Sequence, residues 1–222
     1  GVRVQDSADH PYLHRSNPKR TLERPDVYSF VDVSNHNAQV GQTHWETGQW
    51  MRKQILESDR PRPLNSVKIY GADGAPRFAG SSRDGQERFW RNVFGGFASS
   101  RFHRPPAGLG LSEVAQAHLR SMRMLTDSME VFACEPRPEL LGDRQENQAY
   151  CFANPGVEYA VFFPDGGSVT LDCSAVQGEV TVRWLDILQS AWQPEQRMQA
   201  GAVLPLAAPG PGFRAALVKG IA

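Results

Sequence analysis

The most constraining feature of this chain is a change of pattern along its length. Up to about residue 134 short apolar runs alternate with amphipathic stretches, and beyond about residue 148 only strand-sized runs remain. DVYSFVDVS (Asp26–Ser34) has strand length and runs into the polar cluster SNHN. HWETGQWMRKQILES places Trp50, Gln54 and Glu57 on one side of a helix and Met51, Ile55 and Leu56 on another. RPLNSVKIYG (Arg62–Gly71) is a second strand, and ERFWRNVFGGFASS a second helix with Phe89, Val93 and Phe97 in line. SSRFHRPP is a short strand stopped by Pro105 and Pro106; LSEVAQAHLRSMRML is a third helix, with Ser112 as N-cap and Ala115, Leu119, Met122 and Met129 on one stripe. Strand and helix in strict alternation imply parallel strands joined by right-handed crossovers.

The second half is different. AYCFANPG, EYAVFFPDGG, SVTLDCS, GEVTVRWLDI, AVLPLAA and FRAALVKG are separated by turn residues, at the spacing of an antiparallel sandwich. Asp165-Gly166-Gly167 reads as a hairpin turn. In VTVRWLDI, Val180, Val182 and Trp184 share one face, with Trp184 expected between two sheets. The stretch EPRPELLGDRQENQ (Glu135–Gln148) marks the boundary, giving expected domains at 1–140 and 147–222. The fold class is therefore α/β plus all-β. Three strand-helix units cannot close a barrel alone but fit the C-terminal portion of a (β/α)8 barrel. An open doubly wound sheet is the alternative, and no glycine-rich phosphate loop follows any strand to favour it.

Composition narrows the function classes. With 24 basic and 24 acidic side chains in 222 residues, no net charge steers the chain to nucleic acid or an anionic membrane. No apolar run is long enough to cross a bilayer, so membrane insertion is not expected. Cys134, Cys151 and Cys173 have no zinc spacing; an odd, sparse count favours free buried thiols, with a Cys151–Cys173 disulfide as the alternative in an exported protein. His10, His14, His44 and His118 also lack metal-ligand spacing and read as solvated or locally bonded side chains. No cofactor is implied.

YAVFFPDGGSVTLD followed by VRWLDI resembles the small β-sandwich, labelled collagen-binding, that follows the barrel in apiosidase-like glycoside hydrolases. RPLNSVKIYG, ERFWRNVFGGFASSRFHRP and LRSMRMLTDSMEVFACEPRPELL look like the seventh strand, its helix, the eighth strand and the closing helix of that family's barrel. The resemblance implies a carbohydrate substrate, a plant or microbial polysaccharide, and a secreted or periplasmic location. It also implies a retaining mechanism in which one carboxyl protonates the leaving oxygen and a second, about 5 Å away, traps the oxocarbenium-like centre. The position of the family's strand-seven glutamate falls on or beside Lys68, which cannot serve as that nucleophile. The strands that would carry the acid/base have no counterpart, so the chain is expected to be part of a longer protein. A non-catalytic carbohydrate-binding or scaffolding protein is the alternative.

The candidate site gathers at predicted strand ends. Glu87, in the loop-to-helix stretch DGQERFW, is the substitute catalytic carboxylate, although an acid in the first turn of a helix is also favourable for structure alone. Asp73 beside Gly74 reads as a turn residue. His36, Asn37, Lys68, Tyr70, Arg101 and His103 would face one barrel mouth as substrate-binding residues, with Tyr70 or Trp45 stacking on a sugar face. Each has a structural alternative: His36 and Asn37 as loop caps, Lys68 in solvent or paired with Asp32, Arg101 on a neighbouring carboxylate. Alternation puts Arg101 and His103 on the same side of their strand. Ser99 and Ser100, near His103, lack a nucleophile-elbow motif.

Overall fold

A computed structural model of the chain describes residues 23–24, 26–32, 41–76 and 79–221. The chain divides into two compact units, with the boundary between Ser112 and Glu113.

In the first unit the expected alternation is present. Strands β1 (Val31–Asp32), β2 (Leu64–Ile69) and β3 (Ser99–Phe102) are separated by helices α1 (Gly41–Leu56) and α2 (Ser82–Phe94). The strands form a parallel sheet in chain order, β1-β2-β3. Among the described residues of the expected strand Asp26–Ser34, Val31–Asp32 are strand, and Val33 and Ser34 lie outside the described residues. One face of the sheet buries against the helices: Val31 and Leu64 pack on Met51 and Ile55 of α1, with Phe97 alongside. Phe102 of β3 stacks on Phe89 of α2 at 4.8 Å. The buried side of α1 includes His44 and Trp45, the latter 4% exposed; Trp50 is 51% exposed and Leu56 is also exposed. Trp45 is thus core rather than a sugar-stacking side chain, because the His44–Trp45–Gly48–Met51–Ile55 stripe faces inward. His44 is locally bonded, the second of its two expected states. Its Nε2 lies 2.9 Å from Asn92 Oδ1, and burial lowers its pKa to about 3.

The second unit opens with α3 (Glu113–Thr126). Its strands are β4 (Glu135–Pro136), β5 (Leu141–Gly142), β6 (Tyr150–Asn154), β7 (Glu158–Phe163) and β8 (Ser168–Leu171), then β9 (Glu179–Asp186), β10 (Ala191–Trp192), β11 (Gln196–Gln199), β12 (Leu204–Ala207) and β13 (Arg214–Gly220). The larger antiparallel sheet runs β10-β9-β13-β7-β6-β4, with β11 also on the β9 edge; the smaller runs β12-β8-β5. Between them lies a core of Cys151, Tyr159, Val161, Phe163, Leu171, Val182, Trp184 and Leu206, among others. Trp184 sits there against Phe163 at 5.5 Å.

The other face of the larger sheet is also covered, which is why all six residues of β7 are buried. Ser121 of α3 donates to Ile187 O at 2.6 Å, and the His118 ring meets Phe213 edge-on at 5.2 Å. The inward stripe of α3 therefore carries His118, Ser121 and Leu125 beside Ala115, while Leu119 and Met122 are only half-buried. Asp165-Gly166-Gly167 does not close a hairpin. β7 and β8 belong to different sheets, and the positive φ of Gly166 and Gly167 serves a crossing between them. All three cysteines are free and buried, and burial raises Cys134 to about 12 and Cys173 to about 11, which makes them unreactive. No helix among the described residues is long and apolar enough to cross a membrane.

Candidate functional site

The C-terminal ends of β2 and β3 are where a parallel sheet with helical crossovers presents its loops. In β2 the buried positions are Leu64, Ser66 and Ile69, so two consecutive half-buried residues, Val67 and Lys68, interrupt the alternation. The register gives the reason. Ser66 pairs with Ser100 and Ile69 with Phe102, so β2 has one residue more than β3 over this stretch, a β-bulge. Since Ile69 and Phe102 face the helices, the bulge turns Lys68 to the opposite face, with Tyr70, Arg101 and His103.

Flanking side chains satisfy the bulge. Val67 N donates to Asp32 Oδ1 at 3.2 Å, and Arg101 Nε donates to Val67 O at 3.3 Å. Both backbone groups of the bulged residue are thereby engaged. Asp32 is 1% exposed, and its alternation with Val31 puts it on the same face as the four residues above. Lys68 has no ion-pair partner among the described residues, so it is not matched to Asp32. The Tyr70 and His103 rings meet with centroids 4.8 Å apart. His36 and Asn37 lie outside the described residues.

Beyond the strand ends the loops are braced onto α2. Ser81 and Asp84 form a reciprocal capping box at its N-terminus. Asp73 and Ser82 exchange bonds, Asp73 N to Ser82 Oγ at 2.8 Å and Ser82 N to Asp73 Oδ1 at 3.0 Å, which holds the Asp73 carboxyl below the usual range. Arg88 is 1% exposed and donates to Tyr70 O at 3.0 Å and Ala79 O at 3.3 Å; burial lowers its pKa to about 10, so it remains cationic at neutral pH. Gly71 has φ +122°, and a Cβ there would lie 2.5 Å from both Gly85 N and Ser81 O. Only glycine allows the strand end to lie this close to the helix. The loops after β2 and β3 enclose a cleft of about 290 Å³ between Asp73, Ser82, Pro106 and Leu109.

Glu87 is placed otherwise than at a loop end. It lies within α2, its side chain 16% exposed, with Oε1 bound by Arg83 at 2.8 Å and Oε2 by Arg91 at 2.7 Å. Arg91 is itself buried, so Glu87 is its charge partner. The strand ends thus bring Tyr70 and His103 into ring contact and place Lys68 and Arg101 on the same face, while Glu87 is occupied on the helix. Sequence reasoning named Asp32 and Asp73 but not their bonds to Val67 N and to Ser82, and it did not single out Arg88. Ser81-x-x-Asp84 was a readable sign of where α2 begins. No group of His, Cys, Asp and Glu among the described residues could hold a metal ion.

The chain matches no protein-family model and no curated protein sequence. Among solved structures it is similar to a glycoside hydrolase at TM-score 0.62 and 12% identity, covering 79% of this chain and 46% of that one. It is likewise similar to a glycoside hydrolase family 5 protein from Bacteroides vulgatus, at TM-score 0.61 and 13% identity over 79% and 45% of the two chains. A third is a family 27 β-L-arabinopyranosidase from Geobacillus stearothermophilus, at TM-score 0.52 and 11% identity over 93% and 48%. The fold is glycoside hydrolase-like, and the chain spans a little under half the length of each of these proteins.

Proposed function

We propose that the chain is the C-terminal part of a glycoside hydrolase-like protein, the last units of a (β/α)8 barrel followed by an antiparallel β-sandwich, whose strand ends engage a plant or microbial polysaccharide. Consecutive parallel order with helices on one face supports the barrel assignment. The β-bulge in β2 supports the functional assignment, because by alternation it turns Lys68 to the face that bears Tyr70, Arg101 and His103 at the loop end of the sheet. Lys68 offers three donors to sugar hydroxyls or a carboxylate, and Tyr70 with His103 offers a ring surface.

Retaining hydrolysis needs two carboxyls about 5 Å apart. Here Asp32 accepts from the bulge amide and Glu87 is bracketed by two arginines. Those contacts favour the second reading, a non-catalytic binding surface, for these residues taken alone. The test is calorimetric titration of the chain with neutral and acidic plant oligosaccharides, beside Tyr70→Ala and His103→Ala. We expect at least a tenfold loss of affinity in each variant with an unchanged melting temperature. Absence of binding to every glycan would reject the proposal. If any glycan is turned over, an unchanged rate in Glu87→Gln removes Glu87 from the chemistry. A polysaccharide target implies a secreted or periplasmic protein, and fractionation recovering it only from cytoplasm would contradict that part.

A further inference from the structure

We propose that the second unit carries a separate site for a carboxylate-bearing sugar, a uronic acid residue of an acidic glycan, on the outer face of its larger sheet. The sugar class rests on the carbohydrate-binding proposal above; the site itself rests on independent geometry. A cleft of about 220 Å³ opens there, its floor made by neighbouring positions of β9 and β13. Thr181 pairs with Lys219 and Arg183 with Leu217, so all four side chains share the face opposite Val182 and Trp184. Ser128, just beyond α3, and Glu195, between β10 and β11, form the walls.

Arg183 distinguishes this cleft from an ordinary solvated sheet face. Its guanidinium lies over the Trp192 ring at 4.5 Å, and among the described residues it has no carboxylate partner. The contact anchors the guanidinium on the ring face, and with no carboxylate partner among the described residues its N–H donors are available to receive a carboxylate in two parallel hydrogen bonds. Lys219 is held differently. Its Nζ is 3.1 Å from Glu158 Oε2, whose side chain is 3% exposed, so it is fixed in place as the counter-ion of that buried carboxylate and leaves Arg183 as the cation offered to a ligand. Glu195 carries the opposing charge in the cleft, and no ion pair consumes it among the described residues.

A uronic acid ring accounts for each of these groups. Its carboxylate takes Arg183, its hydroxyls donate to Glu195 and exchange bonds with Ser128 and Thr181, and its C–H face rests on Leu217. A neutral sugar would leave Arg183 without a carboxylate, and a simple carboxylate would leave Glu195 accepting only from water. The cleft has the size of one sugar unit, below the roughly 300 Å³ at which drug-sized pockets begin.

The test uses the full 222-residue chain, titrated by calorimetry and by indole N–H resonances with trigalacturonate, a neutral galactotriose and citrate. We expect trigalacturonate to bind and to shift the indole resonance that Trp192→Phe removes, with at least a tenfold loss in Arg183→Gln and a smaller loss in Arg183→Lys. The indole shift, read separately from the calorimetric total, reports this site where the strand ends of the first unit take up the same glycan. Uronate binding that is lost in Tyr70→Ala and retained in Arg183→Gln would move the ligand to the strand ends of the first unit and overturn the site. Citrate binding as tightly as trigalacturonate would overturn the sugar assignment. Binding of neutral sugar without uronate would reject this site while sparing the proposed function; silence with every glycan would reject both.

Discussion

Two buried histidines set how this protein responds to acid. His44 is held neutral against Asn92, whose Nδ2 in turn donates to Ser100 Oγ at 3.2 Å, and His118 is packed against Phe213. Burial lowers their pKa values to about 3 and about 4, whereas an unfolded histidine titrates near 6.5. Below about pH 6.5 the unfolded chain therefore takes up protons that the native chain refuses. Stability falls as pH drops toward 4, at up to about 1.4 kcal/mol per pH unit for each histidine. Urea unfolding between pH 7.5 and 4.5 should show this fall, with a shallower slope in His44→Gln; an identical slope would dissociate His44 from it. Glu87 allows a second prediction at this scale. Because it neutralises the buried Arg91, Glu87→Gln should cost about 1.5–3 kcal/mol in stability while leaving glycan affinity unchanged. The reverse result, stability kept and binding lost, would return Glu87 to the site.

Among the elements, the junction of β2 with α2 is the most demanding. Gly71→Ala combines a left-handed backbone with overlap on Gly85 N and Ser81 O, whereas at Gly74, with φ +75°, a methyl group would meet nothing within 4 Å. The conformational cost is about 1–3 kcal/mol at either glycine, and only Gly71→Ala adds the overlap. Melting temperatures should fall further for Gly71→Ala than for Gly74→Ala, and equal losses would mean that the loop simply moves away. This junction shows what was legible in the sequence. Apolar periodicity placed β2, β3, α1 and α2 because each buries one face, and strand order followed from the alternation. The bulge was not legible, since Val67 and Lys68 look regular until Ser100 and Phe102 are set beside them. Alternation alone did put Arg101 with His103, yet it could not show that Arg101 spends Nε on Val67 O. Two glycines after Asp165 carry the same positive φ in a hairpin or a crossing, so the local sequence could not choose between them. His118 and Ser121 looked polar, and only the Phe213 ring and the Ile187 carbonyl make that face of α3 the inward one.

At the scale of the whole chain, the unit that begins at Glu113 contains more than the strands after residue 147. β4 pairs with β6 through Glu135 and Ala153, and β5 pairs with β8 through Leu141 and Leu171. Asp172 N donates to Leu140 O at 2.8 Å and Arg137 N to Cys151 O at 3.0 Å, so the stretch EPRPELLG is bonded into both sheets. α3 covers the side of the larger sheet that bears Leu185, Ile187 and Phe213. The buried carboxylate of Glu158 also depends on the upstream segment, accepting from Glu130 N at 2.7 Å. A fragment of residues 147–222 would lose that donor, uncover the apolar face and leave two strand edges unpaired. We therefore propose residue 113 as the start of the autonomous unit and expect 113–222 to unfold cooperatively in urea with dispersed amide resonances. Residues 147–222 should instead bind a hydrophobic dye and lose sharp tertiary signals. If the shorter fragment unfolds at the same urea concentration as the longer one, α3 and the first two strands are attachments to an already stable sandwich, and the boundary belongs near Asn147.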